Sequence, residues 1–147
     1  MKHEAMLLLA VLALMGCASS GLTESTDERL TLYRANSTPV ESFRITKLQG
    51  GLSRWSVVGE QALVVWDESD QPHLLELPQE CSGLFRAKSI GLTNTSGTVT
   101  PGSDSVRLLS SSRAGGDYSC KIGTARRIDM AAVDKARDEM RKASSAK

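Results

Sequence analysis

Ring side chains are scarce in this chain of 147 residues: two Trp, two Tyr and two Phe. So few large apolar groups restrict it to a small core built mainly of Leu, Val, Ile and Ala. Histidine is as rare. His3 and His73 are the whole supply, which leaves little for a catalytic set built on imidazole. No Gly-x-Ser-x-Gly elbow is present, and the serines fall in loop-like stretches without a base nearby in sequence. The formal net charge is only +1, far from the strongly basic balance of a nucleic-acid-binding domain. Cysteine is limited to three residues with no Cys-x-x-Cys pair, so zinc-ribbon and thioredoxin-like chemistry lack their ligands. No apolar run reaches the length of about 18 residues that a membrane-spanning helix needs.

The one sustained apolar run stands at the start. Ala5 to Met15 is uninterrupted by any polar residue, with Lys2 ahead of it and Gly16-Cys17 directly behind. As a helix it covers about 16 Å, roughly half a bilayer core, and so reads as the hydrophobic region of a secretory signal. Leu14-Met15-Gly16-Cys17 resembles the lipobox of bacterial lipoproteins, in which a small residue precedes the cysteine. That resemblance implies cleavage between Gly16 and Cys17, a diacylglyceryl thioether on Cys17 and acylation of the new terminus, so that fatty chains such as palmitate hold the protein to a membrane. Ala18 follows, where an Asp retains such proteins in the inner membrane of the best-studied bacteria. The resemblance therefore implies an outer-membrane lipoprotein facing the periplasm.

The expected organisation is a signal peptide over 1–16, a flexible tether over 17–26, one disulfide-bonded β-rich domain over 27–143 and a frayed tail over 144–147. With Cys17 taken by lipid, Cys81 and Cys120 remain as an even pair in a chain addressed to an oxidising compartment, and are expected to be bonded. A metal or redox pair is the alternative, with no neighbouring His to support it. Charge is uneven. Between Trp55 and Phe85 lie Glu60, Asp67, Glu68, Asp70, Glu76 and Glu80 with no Lys or Arg, whereas bases outnumber acids from Lys121 onward. Solvated faces explain both stretches, and an acidic rim and a basic tail meeting different partners is the sharper reading.

Local signals order the body. Ser25 and Glu28 have capping-box spacing for a helix over about Asp27 to Ala35, ended by Asn36 and Pro39. Phe43 to Thr46, Trp55 to Val58, Ala62 to Trp66, His73 to Leu77, Ile90 to Leu92, Thr98 to Thr100, Val106 to Leu109 and Tyr118 to Ile122 read as strands. Asn94-Thr95-Ser96-Gly97 reads as a turn, and Ser82 to Ala87 as one helical turn. Asp129 caps a final helix through Lys142. Connections this short favour antiparallel pairing, so the predicted fold is mainly β: a small antiparallel barrel or sandwich of about seven or eight short strands with a short helix at each end.

Along this body Phe43-Arg44, Trp55, Ala62-Leu63-Val64-Val65-Trp66, Leu74-Leu75-Glu76-Leu77, Cys81, Ile90-Gly91-Leu92-Thr93 and Cys120-Lys121-Ile122 occur in an order similar to a family of small Gram-negative lipoproteins known only as a domain of unknown function. The resemblance runs from about Tyr33 to Ile128. It implies core and disulfide positions, and no activity.

Binding candidates are Trp55 and Trp66, as core packing or as a sugar-stacking or protein-binding platform, and the carboxylates Asp67, Glu68 and Asp70 of the loop between two strands. That loop lacks the Gly and the distant Glu of an EF-hand, so a solvated turn is preferred to a calcium site. Carboxylates paired for glycoside hydrolysis leave no sequence spacing to read. His73, after Pro72, is expected to be structural and exposed or half-buried. No catalytic residue, metal or cofactor is assigned, and no nucleic acid is expected. The leading reading is a lipid-anchored, non-enzymatic binding or structural module of the envelope, attached to the membrane through Cys17 and meeting an envelope protein or cell-wall polymer. The alternatives are an inhibitor of an envelope-directed hydrolase such as lysozyme, for which Gly115-Gly116-Asp117-Tyr118 is a loose echo of the inhibitors' loop element, and a peptidoglycan-acting enzyme.

Overall fold

A computed structural model describes residues 24–46, 52–109 and 118–147. The signal and lipobox, most of the tether, and the serine loop with its Gly115–Asp117 echo lie outside the described residues. Among them the chain runs α1 (Thr26–Ala35), β1 (Ser37–Val40), β2 (Phe43–Arg44), β3 (Trp55–Gly59), β4 (Ala62–Trp66), β5 (Pro72–Glu76), a 3-10 turn (Leu84–Arg86), β6 (Ile90–Leu92), β7 (Thr98–Val99), β8 (Ser105–Leu108), β9 (Tyr118–Lys121), β10 (Thr124–Ile128) and α2 (Met130–Ser145). The strands form three antiparallel sheets: β1-β10-β5-β4-β3, β2-β7 and β6-β8-β9. None closes on itself, so of the two predicted architectures the molecule is the sandwich.

The layering follows from β4 and β5. In both strands the first four residues are buried, so both faces of the sheet centre need cover. Alternation sends Leu63, Val65 and Leu75 to one face, where the two small sheets meet them with Phe43, Ile45, Ile90, Val99, Val106 and Ile122. Val64 and Leu74 go to the other, where Leu32 of α1 and Val133 of α2 cover them. Period-two alternation likewise sends the adjacent Val57 and Val58 of β3 to opposite cores. Cys81 and Cys120 are disulfide-bonded with Cα atoms 5.7 Å apart, tying the segment after β5 to β9 of the opposing sheet.

Ser25 caps α1 as its spacing predicts: Glu28 N–H donates to Ser25 Oγ at 3.2 Å and Ser25 N–H donates to Glu28 Oε2 at 2.9 Å. Ala132 N–H donates to Asp129 Oδ1 at 3.0 Å to open α2. Asn94 Oδ1 accepts from Gly97 N–H at 2.9 Å, and the turn uses positive φ at Ser96 and Gly97.

Several boundaries differ from expectation. The structure adds β1 and β10 to the eight predicted strands. β1 is an edge strand that carries Pro39, and β10 pairs on both sides while its Arg126 and Arg127 mask the apolar alternation. The body also begins earlier than the expected tether end, because Arg137 of α2 grips Glu24, donating from Nη2 to Oε2 at 3.0 Å and from Nε to Oε1 at 3.3 Å. α2 continues through Ser145 into the stretch expected to fray, and the hydroxyls of Ser144 and Ser145 donate to the carbonyls of Met140 and Arg141.

A crosslink across a loop of about 40 residues stabilises by about 4 kcal/mol through the unfolded chain. Urea unfolding of the Cys81→Ala/Cys120→Ala variant should show a loss of that size against the oxidised protein. A loss below about 1 kcal/mol would mean that the two layers hold without the staple.

Candidate functional site

The acidic loop between β4 and β5 takes its shape from a single side chain. Asp67 Oδ1 accepts from Ser69 N–H at 2.8 Å and Gln71 N–H at 2.9 Å, while Asp67 N–H donates to the Gln71 carbonyl at 3.0 Å. Asp67 Oδ2 lies 2.9 Å from Nε2 of His73, whose side chain is 1 % exposed. Sequence reading placed His73 at or near the surface. The structure corrects this: position 73 shares a sheet face with Leu75, beneath the small sheets, and its ring stacks on Phe43 at 4.5 Å between centroids and 18° between planes.

Burial is the main cause that pushes the His73 pKa down to about 4; Asp67 opposes the shift and the nearby Arg127 adds to it. The imidazole is therefore neutral at physiological pH, with Nε2–H donating to Asp67. Nδ1 has no hydrogen-bond partner among the described residues.

With Asp67 turned inward, the loop carboxylates do not converge. Asp70, at φ 61°, receives the Arg54 guanidinium at 2.7 Å, and Glu68 receives that of Arg44 at 3.0 Å. Asp67, Glu68 and Asp70 are thus aimed at three different partners, His73, Arg44 and Arg54, and form no shared oxygen cage in this arrangement. Among the described residues no group of three or more His, Cys, Asp or Glu is placed to hold a metal ion.

The two tryptophans part as well. Trp55 packs against the core under the small sheets. Trp66, at the end of β4, packs partly against the helix-side core and borders an open cleft of about 600 Å³. The Arg54 guanidinium lies 4.3 Å from the Trp66 ring centroid, and Asp70 holds that guanidinium by its edge. Gln71, Arg127, Asp129 and Met130 are among the other residues that line the cleft. Gln71 also donates from Nε2 to the Ile128 carbonyl at 2.9 Å, tying the acidic loop to the end of β10.

Of the four predicted binding residues the fold thus brings Trp66 and Asp70 together, withdraws Asp67 into a supporting role and sends Trp55 elsewhere. Sequence reading missed Arg54 and Gln71, and took Arg127 only as part of the basic tail. Only strand register reveals them: Trp55 pairs with Val65, which sets Arg54 beside Trp66, and Arg127 pairs with His73.

A model of a family of unknown function, DUF6491, matches residues 1–144. The chain belongs to this family. No curated protein and no solved structure matches it. Membership in DUF6491 spans the body and the N-terminal segment alike, and brings no chemistry to the Trp66 cleft.

The buried His73 makes stability depend on pH with a definite sign. Its folded pKa of about 4 lies below the usual 6.5, so between these values the unfolded chain binds more protons than the folded one. Its contribution is fully present above pH 6.5 and is lost as pH falls toward 4, by about 3 kcal/mol in all. Denaturant unfolding from pH 7 to 4 should show this fall in the native protein and a shallower one in His73→Gln. Parallel curves would contradict the buried neutral imidazole.

Proposed function

We propose that this protein is a lipid-anchored, non-enzymatic module of the bacterial envelope that binds a glycan segment of a cell-wall polymer in the Trp66 cleft. The observation that carries the binding half is the stack of Arg54 on Trp66 in an open hollow, edged by Asp70 and Gln71. An aromatic face with planar donors and acceptors around it suits a sugar ring, which offers apolar C–H faces and equatorial hydroxyls at once. The Arg54–Asp70 pair is exposed on both sides, 56 % and 74 %, so it holds the guanidinium weakly and opens at little cost.

The anchor rests on Leu14-Met15-Gly16-Cys17, and attachment through acyl chains on Cys17 would survive high salt, since more than one chain is sufficient for stable anchoring. An outer-membrane position facing the periplasm belongs to the same reading. The non-enzymatic half is supported by His73: its Nε2 is engaged by Asp67 and its ring is shut between sheets, away from the cleft.

Binding of the purified full chain to soluble peptidoglycan fragments tests the cleft. Trp66 fluorescence should change saturably, and Arg54→Ala together with Gln71→Ala should weaken binding about tenfold, equivalent to roughly 1.4 kcal/mol. Binding unchanged in that double variant, or no saturable change in the native protein, would overturn the assignment. Release of sugar products from the same fragments would replace it with an enzymatic one.

A further inference from the structure

β4 has a second end. Where Trp66 borders the cleft, Ala62 at the other terminus borders a groove of about 490 Å³ between α1, the turn joining β3 to β4, and the segment after β5. Leu30 of α1 forms an apolar wall there, and Phe85 stands at the margin. Phe85 is 58 % exposed while the adjoining Leu84 is 1 % exposed. The 3-10 turn thus anchors itself in the core through Leu84 and leaves its aromatic neighbour in water. Leaving a Phe so exposed forgoes burial in a chain with few rings to spare, and beside a concave surface it offers apolar area of the kind enriched at protein contacts.

The charges of the groove have one sign in excess. Glu76 is neutralised by Arg34, the two forming an ion pair on the groove wall. Asp27, Glu60 and Glu80 form no ion pair among the described residues, and no further Lys or Arg lines the groove. Asp27 faces the positive end of α1, which leaves Glu60 and Glu80 as the carboxylates without local compensation.

We propose that this groove docks a peptide segment of a partner protein in which Lys or Arg stands beside an apolar side chain. The apolar group packs on Phe85 and Leu30, and the cation sits between Glu60 and Glu80, within reach of the Phe85 ring. An anionic lipid surface is repelled by the same carboxylates. The site depends neither on the Trp66 cleft nor on the lipid anchor, and it gives the molecule a second contact at the opposite end of the strand that carries the first.

The test uses the full chain in non-ionic detergent and three fluorescein-labelled peptides: Gly-Lys-Leu-Lys-Phe-Gly, the same peptide with Glu for each Lys, and the same with Ser for Leu and Phe. The first should bind saturably, and the other two at least about tenfold more weakly. Phe85→Ser and the pair Glu60→Lys/Glu80→Lys should each weaken the first about tenfold with the melting temperature unchanged, since all three side chains lie at the surface. Equal binding of the three peptides, equal binding by the variants, or no saturable binding would overturn the proposal. Self-association of the native chain that Phe85→Ser abolishes would overturn it too, by giving the groove to a second copy.

Discussion

Burial of β4 and β5 on both faces is the constraint from which the rest of the molecule follows. Ala62–Val65 and Pro72–Leu75 have no solvated side, so each face of the central pair must find its own apolar cover. The chain meets one demand with two helices and the other with two small sheets, which gives a helix layer, a five-stranded layer and a layer of short strands. The second cover is the weaker construction, since β2 and β7 are two residues each. A covalent tie from Cys81 to Cys120 compensates, fixing the segment that leaves β5 against β9.

A strand buried along its length leaves chemistry only to its ends. Where β4 passes into β5, Asp67 at the start of the loop and His73 within β5 carry the polar groups that cannot be avoided near the core, and Asp67 holds the loop's turn. The turn then delivers Asp70 to Arg54 and Arg54 to Trp66. At the other end, the tight turn over Gly59–Gln61 and the 3-10 turn at Leu84 deliver carboxylates and Phe85 to the surface. The same packing rule thus shapes both proposed contacts.

Much of this was legible in the sequence wherever the signal was local. The capping box of Ser25 and Glu28, the Asn94–Gly97 turn, the Asp129 cap and the period-two strands from Phe43 to Ile122 all stand where their residues put them. β1 and β10 escaped because one carries a proline and the other two arginines, and pairing of β10 with β5 and of β1 with β10 decides what neither segment's pattern shows. The site was legible by composition and not by direction. Asp67, Glu68 and Asp70 are crowded in sequence, yet Asp67 turns inward to a histidine whose burial is set by the strands above it, and Trp66 is separated from Trp55 by strand geometry. Alternation, register and long-range cover are properties of the assembled sheet.

The proposed role requires export, and two features of the chain depend on it together: the acyl chains proposed for Cys17 and the oxidised pair Cys81–Cys120. The intact mass of the protein extracted from membranes without reductant reads both at once. The account predicts a chain beginning at Cys17, heavier by a diacylglyceryl group and an amide-linked acyl chain, and lighter by the two hydrogens of one disulfide. An unmodified chain beginning at Met1 with three free thiols would contradict it.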